Sequence, residues 1–291
     1  MTAAACAALL ATAVLAACGD DDDGGSGASS TPDTNATFEA GTTMAKLKDA
    51  GTVTVGTKFD QPLFGLKGLD GVPTGFDVSI ARIIANRLGI PEDGVKFIET
   101  PSAVREEVIG QGKVDYIVAT YTINDERKKR VSFAGPYYVA GQDLMVKKDN
   151  TTITGPESLR DANAKVCSVT GSTPAENIKQ YIPSGNLVEF DVYSKCADAL
   201  RTGQVDAVTT DNVILLGLID ESPDDFKLVD KKFTEEPYGI GIKKGDVAFC
   251  EFINETLTAA SEDGSYAKAW NDTAGAVAGD APPLPELANC S

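Results

Sequence analysis

The sequence predicts an α/β protein of two similar units, each a mainly parallel sheet with helices on both faces. One observation is that short apolar segments alternate with amphipathic ones from Gly51 onward. A second is that this alternation occurs twice, before and after an extended apolar run at 143–147. A third is that polar residues follow the predicted strands, at the edge where such sheets bind ligands.

The first unit contains three predicted strands and two predicted helices. Strands are expected at 53–55, 95–98 and 114–119, and helices at 76–88 and 103–109. The longer helix has apolar residues at helical spacing, and Gly89 follows its last residue. Lys58 and Thr120 come just after predicted strands, which places both at the ligand-binding edge.

The second unit repeats the pattern and ends in a long helical region. Its strands are expected at 166–169, 187–190 and 207–210, its helix at 195–200, a return pair of strands at 226–229 and 239–242, and the terminal helix at 248–270. Another helix begins near Pro174, with Thr173 as N-cap and Glu176 completing a capping box. That arrangement leaves the hydroxyl of Ser172 uncommitted, and Asp211 stands at the end of a strand.

The N-terminal segment is predicted to be a targeting signal. Residues 2–17 are small and apolar, too short to span a membrane, and end in the lipobox LAAC, whose Cys18 becomes lipidated. The acidic and glycine-rich stretch that follows has little to bury. We therefore expect a signal peptide at 1–17 and a flexible tether at 18–40, with no other membrane attachment.

Composition excludes several classes of function. The formal charge of −17 argues against nucleic-acid binding, which requires a basic face. The chain contains no histidine, which removes histidine-based catalytic triads, general bases and zinc ligands. No cysteine pair has C-x-x-C spacing, so we expect no metal site and no cofactor.

Cysteine usage fits an exported protein. Cys6 leaves with the signal peptide and Cys18 carries the lipid, so four cysteines remain, and an even number outside the cell favours disulfides. Three pairings are possible. We prefer Cys167–Cys196 with Cys250–Cys290 because each bridge then stays within one unit.

The loop after the strand at 114–119 has the chemistry of an anion site. Asn124 suits a helix N-cap, which places Arg127 in the first helical turn, where a cation is unfavourable. Free backbone N–H groups, the hydroxyls of Thr120 and Thr122 and this guanidinium converge without an internal partner. Such a cluster suits an external carboxylate. The alternative interpretation is a solvated basic helix start.

The same stretch resembles a known family. Residues 115–127 (DYIVATYTINDER) and 131–138 (VSFAGPYY) are similar to the ligand loop of solute-binding protein family 3, which contains polar amino-acid-binding proteins of ABC importers. Residues 75–82 (GFDVSIAR) resemble the family's signature segment, although Ser79 stands where an acidic residue is usual. The likeness extends from about Thr52 to Trp270.

The resemblance implies a two-lobed periplasmic-binding-protein fold of type II. The lobes are joined by two crossing strands and bind the ligand between them. We then expect residues 41–141 and 237–291 to form the first lobe and 142–236 the second. The implied protein is a monomer and not an enzyme. It is anchored by lipid outside the cytoplasm and delivers an amino acid to the permease subunits of an ABC transporter.

Site residues follow from the resemblance position by position. Arg127 and Thr122 match residues that hold the α-carboxylate, and Thr120 matches a contact to the amino group or backbone of the ligand. Ser172, with the amide of Thr173, matches the carboxylate contact of the second lobe. Asp211 matches the acidic residue that takes the α-ammonium. A helix N-cap is the alternative role for Asp211, and one residue could serve both roles.

Lys58 and Arg105 match basic side-chain contacts of the glutamate and aspartate members. Two cations in one pocket are costly to leave unpaired, so an acidic ligand would explain both. Alternatively, Arg105 pairs with Glu106 or Glu107 on its own helix, and the ligand is glutamine or another polar amino acid. We expect L-glutamate, with aspartate second.

Other functions compete on the same fold. A cyclohexadienyl or arogenate dehydratase resembles these binding proteins and would use a carboxylate of the pocket as its acid. A sensory input domain would need a separate signalling partner. A cell-wall lytic enzyme would need a further catalytic domain, for which no residues remain.

Overall fold

The structure is a computed structural model that describes residue 1 and residues 31–291. Residues 2–30, which include Cys18 and nearly all of the predicted signal peptide, lie outside the described residues. Among the residues described, no helix is both long and apolar enough to cross a membrane.

The first lobe is built mainly from residues before Gly141. Its strands are β1 (Val53–Thr57), β2 (Asp60–Gln61), β3 (Gly65–Lys67), β4 (Pro73–Thr74), β5 (Val95–Glu99), β6 (Tyr116–Ile117) and β7 (Val131–Ala140). Its helices are α1 (Thr43–Ala50), α2 (Phe76–Arg87), α3 (Arg105–Gly110) and α4 (Asp125–Lys128), with 3-10 turns at Glu92–Gly94 and Ser102–Val104. Strand pairing at β6 is shorter than the predicted 114–119, since only two of its residues pair.

The second lobe follows Gly141. Its strands are β8 (Gln142–Lys147), β9 (Val166–Val169), β10 (Leu187–Phe190), β11 (Ala207–Asp211) and β12 (Phe226–Leu228). Its helices are α5 (Ser158–Asp161), α6 (Thr173–Asn177), α7 (Tyr193–Arg201) and α8 (Asn212–Asp220), with a 3-10 turn at Ile178–Gln180.

The chain then returns to the first lobe. The returning elements are β13 (Glu236–Lys243), α9 (Val247–Glu262), α10 (Ser265–Asn271) and α11 (Gly275–Ala278). The predicted helix at 248–270 is divided because Gly264 adopts a left-handed conformation, with φ +83°. The predicted strand pair at 226–229 and 239–242 is wrong, since the two segments lie in different sheets.

Each lobe has a mixed sheet of five strands, in the order β5-β1-β6-β13-β7 in the first and β10-β9-β11-β8-β12 in the second. The three strands at one side of each sheet run parallel, and the other two are antiparallel to their neighbours. A small antiparallel sheet, β2-β3-β4, adds to the first lobe. The chain passes from the first five-stranded sheet to the second at Gly141, between β7 and β8, and returns between β12 and β13.

The core of the first lobe contains an aromatic cluster. The ring of Trp270, which is 1% exposed, stacks on Tyr138 with centroids 5.0 Å apart, and Phe64 and Phe76 meet it edge-on. Residues of the expected tether also pack here, since the ring of Phe38 meets Phe252 with centroids 5.4 Å apart. The packed part of this lobe therefore begins before residue 41.

The two predicted disulfides are confirmed. Cys167 in β9 is bonded to Cys196 in α7, within the second lobe. Cys250 in α9 is bonded to Cys290 and holds the C-terminal tail against the first lobe.

Candidate functional site

The polar residues of the two lobes meet beyond the carboxyl ends of the parallel strands. Lys58 follows β1, Thr120 lies after β6, Ser172 follows β9, and Asp211 ends β11. This is the edge at which open α/β sheets bind ligands. We call the interface between these residues the cleft.

The lobes contact each other across the cleft. The carboxylate of Asp60 accepts a hydrogen bond from the backbone N–H of Tyr193 at 2.7 Å, and the Tyr238 hydroxyl donates to Asp211 at 2.6 Å. A Cβ placed on Gly171 would lie 2.8 Å from Cα of Ala103. The structure is therefore the closed arrangement of the two lobes.

Arg127 bridges the two lobes from the first turn of α4. Asn124 caps that helix as predicted, because its side chain accepts the N–H of Arg127 at 2.9 Å. The guanidinium donates from Nη1 to the Thr122 carbonyl at 2.7 Å and from Nη2 to the Gly171 carbonyl at 3.2 Å. Burial, together with repulsion from the nearby Arg105, lowers its pKa to about 10.

The expectation that the Arg127 cluster lacks an internal partner is wrong. Nε of Arg127 lies 3.5 Å from Glu106 Oε1, and both side chains are largely buried. This pair joins residues on α3 and α4, so it depends on how the two helices pack. Such pairing is expected of buried charges, because removing an unpaired charge from water costs free energy.

Ser172 and Thr173 exchange the roles that the sequence predicts. Ser172 is the N-cap of α6, since its hydroxyl accepts the N–H of Ala175 at 3.1 Å. Thr173 is the first helical residue, and its hydroxyl donates to Glu236 at 2.7 Å. The helix begins one residue earlier than predicted, at Thr173, so the N-cap falls on Ser172. Glu176 pairs with Lys179 in place of the predicted capping box.

The hydroxyl of Thr122 lies 3.2 Å from that of Thr173, so these two side chains meet across the cleft. Thr120 has a left-handed backbone, with φ +45°, which is unusual for a β-branched residue. Its N–H donates to Asp77 at 2.7 Å, and its hydroxyl donates to the Ala119 carbonyl at 2.8 Å. Both threonines thus line the cleft, and both hydroxyls have partners within the protein, contrary to the expectation from the sequence.

Asp211 turns its carboxylate into the cleft. Oδ2 accepts the Tyr238 hydroxyl, while Oδ1 is buried without a hydrogen-bond partner among the described residues. Burial raises its pKa to about 7, and the neighbouring carboxylate of Glu236 acts in the same direction. Asp211 occupies the N-cap position of α8 but makes no capping bond through its side chain. The structure therefore contradicts the alternative that the side chain of Asp211 caps helix α8.

Lys58 and Arg105 are buried together, with 1% and 2% of their surface exposed. Nζ of Lys58 donates to the Ser102 hydroxyl at 3.0 Å, and Nη1 of Arg105 donates to the Ala119 carbonyl at 2.8 Å. Among the described residues, neither forms an ion pair within 4.0 Å. Burial lowers the pKa of Lys58 to about 8, and repulsion from Arg105 adds to this effect.

The alternative partners of Arg105 are engaged elsewhere. Glu106 pairs with Arg127, and Glu107 accepts a hydrogen bond from Gln111 at 2.6 Å. Nε of Arg105 is buried without a partner in the described part of the chain. The structure thus contradicts pairing of Arg105 within its own helix.

Two carboxylates of the cleft were missed by the sequence analysis. Asp77 lies in the first turn of α2 and accepts the Tyr137 hydroxyl at 2.5 Å, and burial raises its pKa to about 7. The sequence signal for Asp77 is a charged residue within an otherwise apolar stripe of the helix. Glu236 accepts bonds from Thr173 and, at 3.2 Å, from Asn177. No sequence signal distinguished it from a solvated loop residue.

The cleft therefore presents cations, hydroxyls and two incompletely paired carboxylates, Asp60 and Asp211, on facing surfaces. Such a set can bind a small molecule that carries both carboxylate and ammonium groups. A guanidinium binds a carboxylate through two parallel hydrogen bonds, and burial strengthens the attraction between opposite charges.

Comparisons with known proteins agree with the two-lobed fold. The family model for bacterial extracellular solute-binding proteins, family 3, matches residues 53–272. The glutamate-binding protein GluB of Corynebacterium efficiens is 42% identical over 237 residues, which cover 78% of this chain and 80% of GluB. The ABC transporter glutamine-binding protein GlnH of Bacillus subtilis is 43% identical over 225 residues, which cover 77% of this chain and 81% of GlnH.

A solved structure extends the likeness to three dimensions. It is the ancestral amino acid-binding protein AncCDT-1, described as a precursor of cyclohexadienyl dehydratase. The two chains share 31% identity with a TM-score of 0.72, over 80% of this chain and 99% of that one. The two-lobed fold expected from the sequence is confirmed, and the chain belongs to the bacterial extracellular solute-binding proteins, family 3.

Proposed function

We propose that this solute-binding protein captures an acidic amino acid, glutamate ahead of aspartate, for an ABC-type importer. The observation that carries the proposal is the pair of buried cations, Lys58 and Arg105, which have no carboxylate partner within ion-pair distance in the described chain. Leaving such charges unpaired is costly, and a carboxylate on the ligand side chain would satisfy both.

The remaining residues divide the other groups of the ligand between them. Arg127, with the hydroxyl of Thr122, holds the α-carboxylate from the first lobe. Ser172 and the amide of Thr173 reach the same group from the second lobe. Thr120 contacts the backbone of the ligand, and Asp211 takes the α-ammonium.

Two buried atoms support this division of roles. Nε of Arg105 and Oδ1 of Asp211 have no partner within the described residues, although buried polar atoms in native proteins are nearly always hydrogen-bonded. One is a cationic donor and the other an anionic acceptor. A ligand with a distal carboxylate and an ammonium group supplies the complement of each.

The alternative ligand is glutamine or another polar amino acid. The relatives include a glutamate-binding protein and a glutamine-binding protein at nearly equal identity to this chain. Glutamine would leave Lys58 and Arg105 without a carboxylate within ion-pair distance in the described chain, and Asp60 and Asp77 would act on them only from farther away. The acidic ligand is therefore the one that the buried cations favour.

A dehydratase activity is the second candidate function. Its support is that burial raises the pKa of both Asp77 and Asp211 to about 7, which suits a general acid near neutral pH. Both carboxylates are already held by tyrosine hydroxyls, and the distal part of the cleft holds cations. Turnover of arogenate or prephenate would establish this function, whereas we expect none.

A thermal-shift screen of the twenty amino acids tests the proposed function. The protein from Thr31 onward should be stabilised most by glutamate, then by aspartate. A ligand that binds only the folded state raises the free energy of unfolding by about 2.7 kcal/mol at a hundredfold excess over its Kd. Stabilisation by neutral or basic amino acids alone would contradict the acidic ligand.

We also propose that the protein is held on the outer face of the cell membrane by a lipid at Cys18, and that it acts there as a monomer with permease subunits as partners. Labelled palmitate should enter the wild type but not Cys18→Ser, and the variant should leave the membrane fraction. Membrane retention of an unacylated variant would count against the anchor.

A further inference from the structure

The ring of Tyr121 contacts both arginines of the cleft. The guanidinium carbon of Arg105 is 4.1 Å from the centroid of the Tyr121 ring, and that of Arg127 is 5.1 Å from the same centroid. The two cations repel each other, since Arg105 lowers the pKa of Arg127. The ring attracts both through its negative π-face, which is a favourable arrangement in a desolvated site.

The backbone around Tyr121 holds the same two side chains. Arg105 donates to the carbonyl of Ala119, which precedes the ring, and Arg127 donates to the carbonyl of Thr122, which follows it. The short segment 119–122 therefore sets how far apart the guanidiniums lie. The left-handed backbone of Thr120 bends this segment within its length.

The ring itself is tightly confined. It meets Phe133 with centroids 4.8 Å apart. A Cβ on Gly241 would lie 2.7 Å from Cε1 of Tyr121, so the absent side chain there makes room for the ring. The Tyr121 carbonyl accepts the N–H of Gly239 at 2.9 Å, which fastens the segment to β13. A ring held in this way can act as a fixed spacer.

We propose that Tyr121 is a positioning residue that determines specificity. Its ring fixes the separation between Arg127 and Arg105, and this separation selects the length of the acidic ligand. The proposal rests on the proposed function, in which Arg127 takes the α-carboxylate and Arg105 the distal one. A dicarboxylic amino acid of matching length reaches both guanidiniums, and one that is a methylene shorter does not.

Titration calorimetry of glutamate and aspartate against the purified protein and its Tyr121 variants tests this inference. Tyr121→Leu removes the π-face, so we expect glutamate to bind about tenfold more weakly and the glutamate-to-aspartate affinity ratio to narrow by a similar factor. Tyr121→Phe keeps the ring and should keep the wild-type ratio.

Val114→Ala is the matched packing control. Val114 is buried in the same apolar cluster as Tyr121, outside the contacts with Phe133, Gly239 and Gly241 that hold the ring. This variant should lower the thermal midpoint without altering the affinity ratio. If Tyr121→Leu fails to fold, Gly241→Ala displaces the ring from the other side and should narrow the ratio in the same direction.

The outcomes distinguish a failure of the proposed role of Tyr121 from a failure of the proposed function. An unchanged ratio in Tyr121→Leu, or an equal change in Val114→Ala, overturns the spacer role while leaving glutamate binding in place. A wild type that binds neither glutamate nor aspartate refutes the proposed function, and the inference with it.

Discussion

Arg127→Ala should abolish the binding of every amino acid that the wild type binds. The guanidinium is proposed to hold the α-carboxylate, a group that all of them share, and its Nη2 also joins the lobes by donating to Gly171. A hydrogen bond to a charged group contributes roughly 1.5–3 kcal/mol. Losing both hydrogen bonds between the guanidinium and the ligand carboxylate therefore lowers affinity by at least about two orders of magnitude. Titration calorimetry measures the loss directly.

The conservative variant and an exposed neighbour serve as controls. Arg127→Lys keeps the charge but not the planar fork, so it should also bind much more weakly than the wild type. Arg130→Ala removes an exposed arginine from the same segment and should leave affinity unchanged. Near-normal affinity in Arg127→Ala would refute the assignment of the site.

The second large effect concerns selectivity between acid and amide. Lys58→Gln should weaken glutamate by about one to two orders of magnitude, because a desolvated charge-assisted bond is lost. Glutamine has no charge at that position, so its affinity should change little. The double variant Lys58→Gln, Arg105→Gln should lose its preference for the acid altogether.

Calorimetry of both ligands at fixed ionic strength separates this effect from a general change in charge. Lys96→Gln is the matched control, since it removes one positive charge from an exposed position of β5. It should leave both affinities unchanged. Equal weakening of glutamate and glutamine in Lys58→Gln would instead mean that the cations are structural and that the ligand is neutral.

Local pattern was sufficient to predict much of the fold. The helix at 76–88 is observed at Phe76–Arg87, because its apolar spacing is unambiguous and Gly89 follows it closely. Asn124 caps α4 as expected, since capping depends on residues that are adjacent in sequence. The disulfides were predicted from compartment and from the preference for bridges within one unit.

Features that depend on distant contacts were not predictable. The partner of Arg127 is Glu106, which lies on another helix, and Thr120 is held by Asp77, which lies 43 positions earlier. The N-cap of α6 is Ser172, because the first turn begins one residue earlier than the sequence pattern predicts. Glu236 gains its role only when the crossing strand meets the second lobe.

The same limit applied to Lys58 and Arg105. Family resemblance placed both in the ligand pocket, but their burial and the absence of an ion pair within the described chain were visible only in the structure. Two exposed cations would not have indicated an acidic ligand, because water solvates exposed charges. The specificity proposal thus depends on an environment that neither residue encodes by itself.

The central claim is that the cleft is built for an acidic amino acid, and the most direct test is titration calorimetry of glutamate and glutamine against the wild-type protein. We predict that glutamate binds at least about tenfold more tightly than glutamine, because only glutamate supplies a charge partner to Lys58 and Arg105. Equal or tighter binding of glutamine, or no measurable binding of glutamate, would contradict the claim.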